Sequence, residues 1–248
     1  MSKNDEYLKI INEIDNSNSS QIIGRLETLR INRYVFVKNY QELETILKRV
    51  NDPEFMLNLW DLRNREKLNL VINEITRLVH NFLTSAKSLV DLTRNIVNEW
   101  YKNTEFINEY QKQVNTRFRN NPQSGFIEEL RNFSLHYSLP IVNATLSVNG
   151  INNGKVTEMK FSFVLIKRSL LFWSGWTQKG KPFLEKMDDE TDISILLLDY
   201  FKEIMDFHQW IDSRIREIHS KEINWISKKQ KELMDLMDDE EKQARGLL

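Results

Sequence analysis

The chain has 248 residues, 40% of them hydrophobic and 29% charged, with a net charge of −1. That balance is too apolar for a disordered chain and carries no overall basic excess, so any contact with RNA has to be local. Seven Gly and four Pro are few for this length and favour long helices, and the lack of cysteine excludes disulfides, thiolate chemistry and zinc–cysteine sites.

The first twenty residues, MSKNDEYLKIINEIDNSNSS, contain no apolar run of signal-peptide type. The most apolar windows, FSFVLI and SLLFW, are split by Lys167 and Arg168. Neither approaches the roughly 20 residues needed to span a bilayer. The expectation is a soluble, cytoplasmic protein with no membrane partner.

Residues 5–14 have helical spacing and run into the polar stretch Asp15 to Ser20. Residues 21–39 are ambiguous: INRYVFVKNY is rich in β-branched and aromatic side chains and fits a strand or an ordered loop. Helical spacing returns over 40–50, and Asp52-Pro53 matches a cap followed by proline at the first helical position. The clearest helix lies within 65–100. Leu68, Ile72, Ile75, Val79, Phe82, Ala86, Leu89, Thr93, Ile96 and Trp100 recur four and three apart and form one seam. A second helix is expected over 104–119 with Thr104 as cap, then a turn at NNPQS, then a third helix over about 124–138 that must end before Pro140.

The pattern then changes. VNATLSVNG and KVTEMKFSFVLI alternate in the β manner around GINNG, which predicts a hairpin. Residues 168–187 are irregular and contain Trp173 and Trp176. Asp188 to Asp192 open a long last helix whose seam runs from Ile193 to Ile218 and weakens after Trp225. The predicted fold class is mainly α: a bundle of long helices with a small antiparallel β-hairpin inserted before the last one. Residues 1–248 read as a single helical domain, with the hairpin and irregular insertion at 141–187 packed on the bundle and a frayed tail at 238–248.

The third helix, FIEELRNFSLHYSLP, faces two ways. With Phe126 at zero and about 100° per residue, Phe126, Leu130, Phe133 and Tyr137 fall on one stripe. Arg131 then lies near 140°, Leu135 near 180°, Asn132 near 240° and His136 near 280°. A leucine opposite the core stripe marks either an ordinary exposed leucine or a second contact surface, for which a copy of the same chain is a natural partner.

Arg131-Asn132, three residues, then His136 resembles the signature of HEPN (higher eukaryotes and prokaryotes nucleotide-binding) domains: an Arg followed by a polar residue, with a His a few residues on. The resemblance is sharp over about fifteen residues and implies a helical bundle that dimerises. In ribonuclease members two copies of the motif meet across the interface and cut RNA without metal or other cofactor. It further implies His136 as proton-transfer group, Arg131 as phosphate ligand and Asn132 as orienting residue, with Leu135 in the interface. The basic pairs Arg117 with Arg119 and Lys167 with Arg168 are the RNA-binding candidates. An endoribonuclease of toxin or antiviral-defence type, with a cognate protein inhibitor as a further partner, is the leading expectation. A catalytically silent HEPN-like dimer or antitoxin-type partner, and a helical protein-interaction module, are the alternatives.

Other signals are bland. His80 beside Arg77 reads as a polar flank, His208 and His219 are too widely spaced for a metal site, and the six tryptophans read mostly as packing residues. GINNG lacks the lysine and following helix of a phosphate loop.

Overall fold

The computed structural model describes residues 3–50, 52–139, 142–152 and 155–237. The frayed tail expected at 238–248 and the hairpin tip at Asn153 and Gly154 lie outside them. The chain is mainly α-helical, with ten α-helices and a three-stranded antiparallel sheet among the described residues. None of these helices is long and apolar enough to cross a membrane.

In order they are α1 (Lys3–Asp15), α2 (Asn18–Arg49), α3 (Pro53–Trp60), α4 (Arg65–Trp100), α5 (Glu105–Val114) and α6 (Pro122–His136), then β1 (Val142–Asn152) and β2 (Lys155–Ile166). After the sheet come α7 (Lys167–Leu170), α8 (Lys181–Lys186), β3 (Glu190–Asp192), α9 (Ile193–Ile218) and α10 (Ser220–Leu236). The chain divides into two compact units, one drawn from residues 3–31 and 208–237 and the other from Asn32–Phe207. The boundaries fall inside α2 and α9.

The smaller unit buries Ile10, Ile22, Leu26, Ile211, Ile215 and Ile226. In it α1 packs on α10, and Lys229 reaches Glu13 at 2.8 Å. In the larger unit an aromatic cluster joins α2, α4 and α9. The Tyr40 and Phe201 rings stack at 3.9 Å, Phe36 sits 5.2 Å from Phe82, and Tyr200 meets Phe82 edge-on. Stacked and edge-on pairs of this kind add to the stabilisation from apolar burial alone. The middle of the α4 seam is buried as its spacing predicts, with Ile75, Val79, Phe82, Ala86, Leu89, Thr93 and Ile96 inside, while Leu68, Ile72 and Trp100 towards its ends are half-buried.

Local signals account for several boundaries. Asp52 caps α3 by accepting from the Glu54 amide at 3.0 Å, with Pro53 at the first position. Asn121 caps α6 by accepting from Gln123 and Ser124, with Pro122 at the first position, so α6 starts two residues before the expected 124. Thr104 occupies the cap position of α5 but does not cap it, because its hydroxyl donates back to the Tyr101 carbonyl. After α5 the backbone widens into a π turn, Asn115–Arg119, in place of the continued α-helix expected to 119.

Two expectations are corrected in kind. Residues 21–39 are neither strand nor loop; they lie within α2, and Ile22, Leu26 and Leu29, then Phe36, Tyr40 and Leu43, bury one helical face. Burial on a shared face overrides the β propensity of the intervening Ile31, Val35 and Val37. The long last helix is two helices, α9 and α10, separated at His219.

The hairpin pairs Val142 with Leu165 and Ala144 with Phe163, and its second strand gains β3 as a neighbour on the other edge. Phe161, Phe163 and Leu165 alternate into the core of the larger unit. The sheet is therefore part of that core. Leu165→Ala should lower the unfolding free energy by about 2–5 kcal/mol, read from urea denaturation. A loss below about 0.5 kcal/mol, the scale of a surface substitution, would place the sheet outside the core.

Candidate functional site

Helix α6 is clamped along its first three turns. It packs against α4 and α8, and Ser124, Gly125, Phe126, Ile127, Glu129, Leu130, Phe133 and Ser134 are buried. The expected stripe holds for Phe126, Leu130 and Phe133, but burial also extends to Ile127 and Glu129. Tyr137 leaves the stripe, 53% exposed, because the helix ends at His136 and the Tyr137 and Ser138 amides both return to the Phe133 carbonyl.

The second wall of the clamp is the irregular loop before α8. A Cβ on Gly125 would lie 2.5 Å from the Lys179 carbonyl oxygen, and one on Gly180 would lie 2.7 Å from the Phe126 Cα. Only glycine permits that approach at either position. The Trp176 ring stacks on Phe126 at 5.2 Å, its indole N–H donates to the Leu170 carbonyl, and Trp173 meets Phe133 edge-on. Both tryptophans are packing residues. The Glu129 carboxylate, buried beneath the loop, accepts from the Thr177 amide at 3.1 Å and from the Thr177 hydroxyl. A buried carboxylate is tolerable only with such partners.

What α6 then presents differs along its length. The half-buried Arg131 donates through Nη1 to the Asn132 Oδ1 at 3.2 Å, while its buried Nε has no acceptor. It has no ion-pair partner among the described residues. His136, five residues on, is exposed at the helix end. Such a step along a helix rises about 7.5 Å and turns about 140°. Arg131 and His136 therefore diverge within one chain, and neither Arg131 nor Asn132 hydrogen-bonds the imidazole. Leu135 is 40% exposed beside them.

The four basic candidates separate as well. Arg117 pairs with Glu203 at 2.6 Å and with Gln113, so it is structural. Lys167 donates to the Glu185 and Met187 carbonyls and ties the end of β2 to the end of α8. Arg119 is exposed, and among the described residues its side chain hydrogen-bonds to Asn115, at 3.4 Å. Arg168 is exposed on a surface groove of about 420 Å³ that also takes in Tyr137, Asn143, Ser169 and Phe172, the last 74% exposed. That groove abuts the end of α6, since Tyr137 and Ser138 follow His136 directly.

A cavity of about 300 Å³ lies between α4, α5, the π turn, α6 and α9. Arg131 and Arg119 line it together with Lys87, Arg94 and Lys179, against the single carboxylate of Glu128. Leu83, Val114, Phe118, Ile127 and Phe207 give it an apolar and aromatic side, and Gln111, Asn115 and Ser124 add polar groups. Burial pushes the Tyr110 phenol on its wall up to about 12, and burial with the Glu128 charge pushes the Tyr200 phenol up also. This concentration of cations in a chain of net charge −1 comes from four separate segments and has no compact sequence motif. A partial signal was the seven-residue spacing of Lys87 and Arg94, two turns apart on α4.

Among the described residues no group of three or more His, Asp or Glu side chains is placed to hold a metal ion. No family model, curated protein or solved structure matches the chain.

The clamp gives a direct test with two glycines. Gly125→Val should destabilise by about 1–3 kcal/mol, because the added carbons meet backbone that cannot swing away. Gly24→Ala, where nothing lies within 4 Å of the new Cβ, should stabilise α2 by up to about 1 kcal/mol. Urea midpoints of the two variants check both signs; equal midpoints would contradict the tight approach at Gly125.

Proposed function

We propose that this chain is a HEPN-like endoribonuclease of toxin or antiviral-defence type that acts as a homodimer through the Leu135 face of α6. The observation that carries the reading is the end of α6: an exposed imidazole, His136, beside a groove where Tyr137 and Phe172 flank Arg168. Exposed aromatic faces next to an arginine are the elements that bind single-stranded nucleic acid, by base stacking and phosphate contact.

The chemistry asks little of the protein. The substrate's 2′-oxygen attacks the adjacent phosphorus, and its proton passes to a base. The bond from phosphorus to the 5′-oxygen breaks, and that oxygen takes up a proton. A histidine side chain can serve as base or acid near neutral pH. Arg131 supplies the charge for the phosphate. Because Arg131 and His136 diverge within one chain, the proposal requires two copies of α6 to complete one cleft. The same divergence favours a second reading, a catalytically silent HEPN-like dimer or antitoxin-type partner, and the assay below separates the two.

Purified protein is incubated with mixed cellular RNA in excess EDTA. His136→Ala and Arg131→Ala should each lose about 10²–10⁴ in cleavage rate while keeping the wild-type circular dichroism. Cleavage that persists equally in both variants would refute the assignment, and an inactive wild type that still binds RNA would establish the silent reading. Leu135→Glu should convert the dimer to a monomer in sedimentation experiments and abolish cleavage with it; a wild type that is monomeric at micromolar concentration would remove the shared cleft.

A further inference from the structure

The geometry points to the cavity beside α6 as a binding site for a small amphiphilic monoanion: an apolar body, aliphatic or aromatic, carrying one carboxylate. This inference requires neither His136 nor RNA cleavage. Ligand sites are concave and mostly apolar, with a few polar groups that fix orientation, and about 300 Å³ lies at the small end of their range. The interior supplies the apolar part, with Leu83, Val90, Val114, Phe118, Ile127 and Phe207.

The cations are not equivalent. Lys87 is held by Asp91 at 3.0 Å and Glu128 at 3.2 Å, and Arg94 by Asp91 at 2.9 Å. Lys179 lies 3.9 Å from Glu128. Arg119 and Arg131 have no carboxylate partner among the described residues. A guanidinium presents a planar fork of donors that matches a carboxylate. The buried Nε of Arg131 has no acceptor, and leaving a charged donor unsatisfied is costly. A ligand carboxylate held by Arg131 and Arg119 would satisfy it.

Two features select the head group and the tail. Glu128 lines the same cavity, and its charge repels a dianion more than a monoanion, which favours carboxylate over phosphate monoester. The apolar side chains of the lining give an aliphatic or aromatic body contacts that a sugar's hydroxyls cannot use, which favours the amphiphile over a nucleotide.

Decanoate is the probe, titrated calorimetrically into the full chain. It should bind saturably at one site, with decanol (same tail, no charge) and acetate (charge, no tail) at least about tenfold weaker, the scale of one hydrogen bond to a charged group. Arg119→Glu should weaken decanoate by about ten- to hundredfold on the same scale. That side chain is exposed, so the fold should survive. Val114→Trp, which fills the interior and leaves the arginines in place, should abolish binding; circular dichroism and a thermal melt verify that both variants are folded. His136→Ala should bind decanoate as the wild type does, because the cavity has Arg131 in common with the RNA reading but not His136. Absence of saturable decanoate binding at millimolar concentration would overturn the proposal. So would decanoate binding unchanged in both folded cavity variants, or binding of uridine monophosphate in preference to decanoate.

Discussion

The close approach of α6 to the loop before α8 is the constraint on which the rest depends. Two glycines, Gly125 on the helix and Gly180 on the loop, let the backbones meet, and the buried Glu129 hydrogen-bonds across to Thr177. Apolar contact alone would allow the helix to rotate or slide. A buried carboxylate does not, because displacement leaves its oxygens without donors in a medium that penalises bare charge. The rotation of α6 thus determines which residues look inward: Arg131 lines the cavity, while His136, past the clamp, emerges at the surface. The stacked Phe126 and Trp176 and the edge-on Phe133 and Trp173 fill the space around that polar contact.

Much of the helical frame was legible in the sequence because its signals are local. The four-and-three spacing of α4 needs no knowledge of neighbours, and Asp52-Pro53 marks a helix start by its own hydrogen bond. The alternation of Phe161, Phe163 and Leu165 gives a strand face. Long-range choices were not legible. In α2 a β-like composition conceals a helical face whose burial depends on Phe82 and Phe201, far away in sequence. β3 is three residues long and exists only because the β2 edge accepts it. The break at His219 follows an uninterrupted apolar seam with no proline or glycine to announce it.

The candidate site was legible to a similar depth. The positions of Arg131, Leu135 and His136 around α6 follow from helical geometry, and their separate directions were already implicit in the wheel. What each basic residue does was not. Arg117 and Lys167 look like free surface charge in sequence, yet one is paired with Glu203 and the other holds backbone carbonyls. The cavity gathers Lys87, Arg94, Arg119, Arg131 and Lys179 from widely separated segments, so no window of sequence contains it. The stretch that contributes Trp173 and Trp176 to packing also places Phe172 in the surface groove.

Native-state hydrogen exchange of the α6 amides, compared between the wild type and Glu129→Ala, tests most directly whether the clamp sets the presentation of this helix. In the wild type the amides from Phe126 to Phe133 should exchange only through global unfolding, together with the Thr177 amide that Glu129 accepts. In Glu129→Ala those amides should open sub-globally, ahead of the α4 amides, while the α4 core keeps its protection. Identical α6 exchange in the two proteins would contradict the clamp, since the helix would then be held without the Glu129 to Thr177 contact.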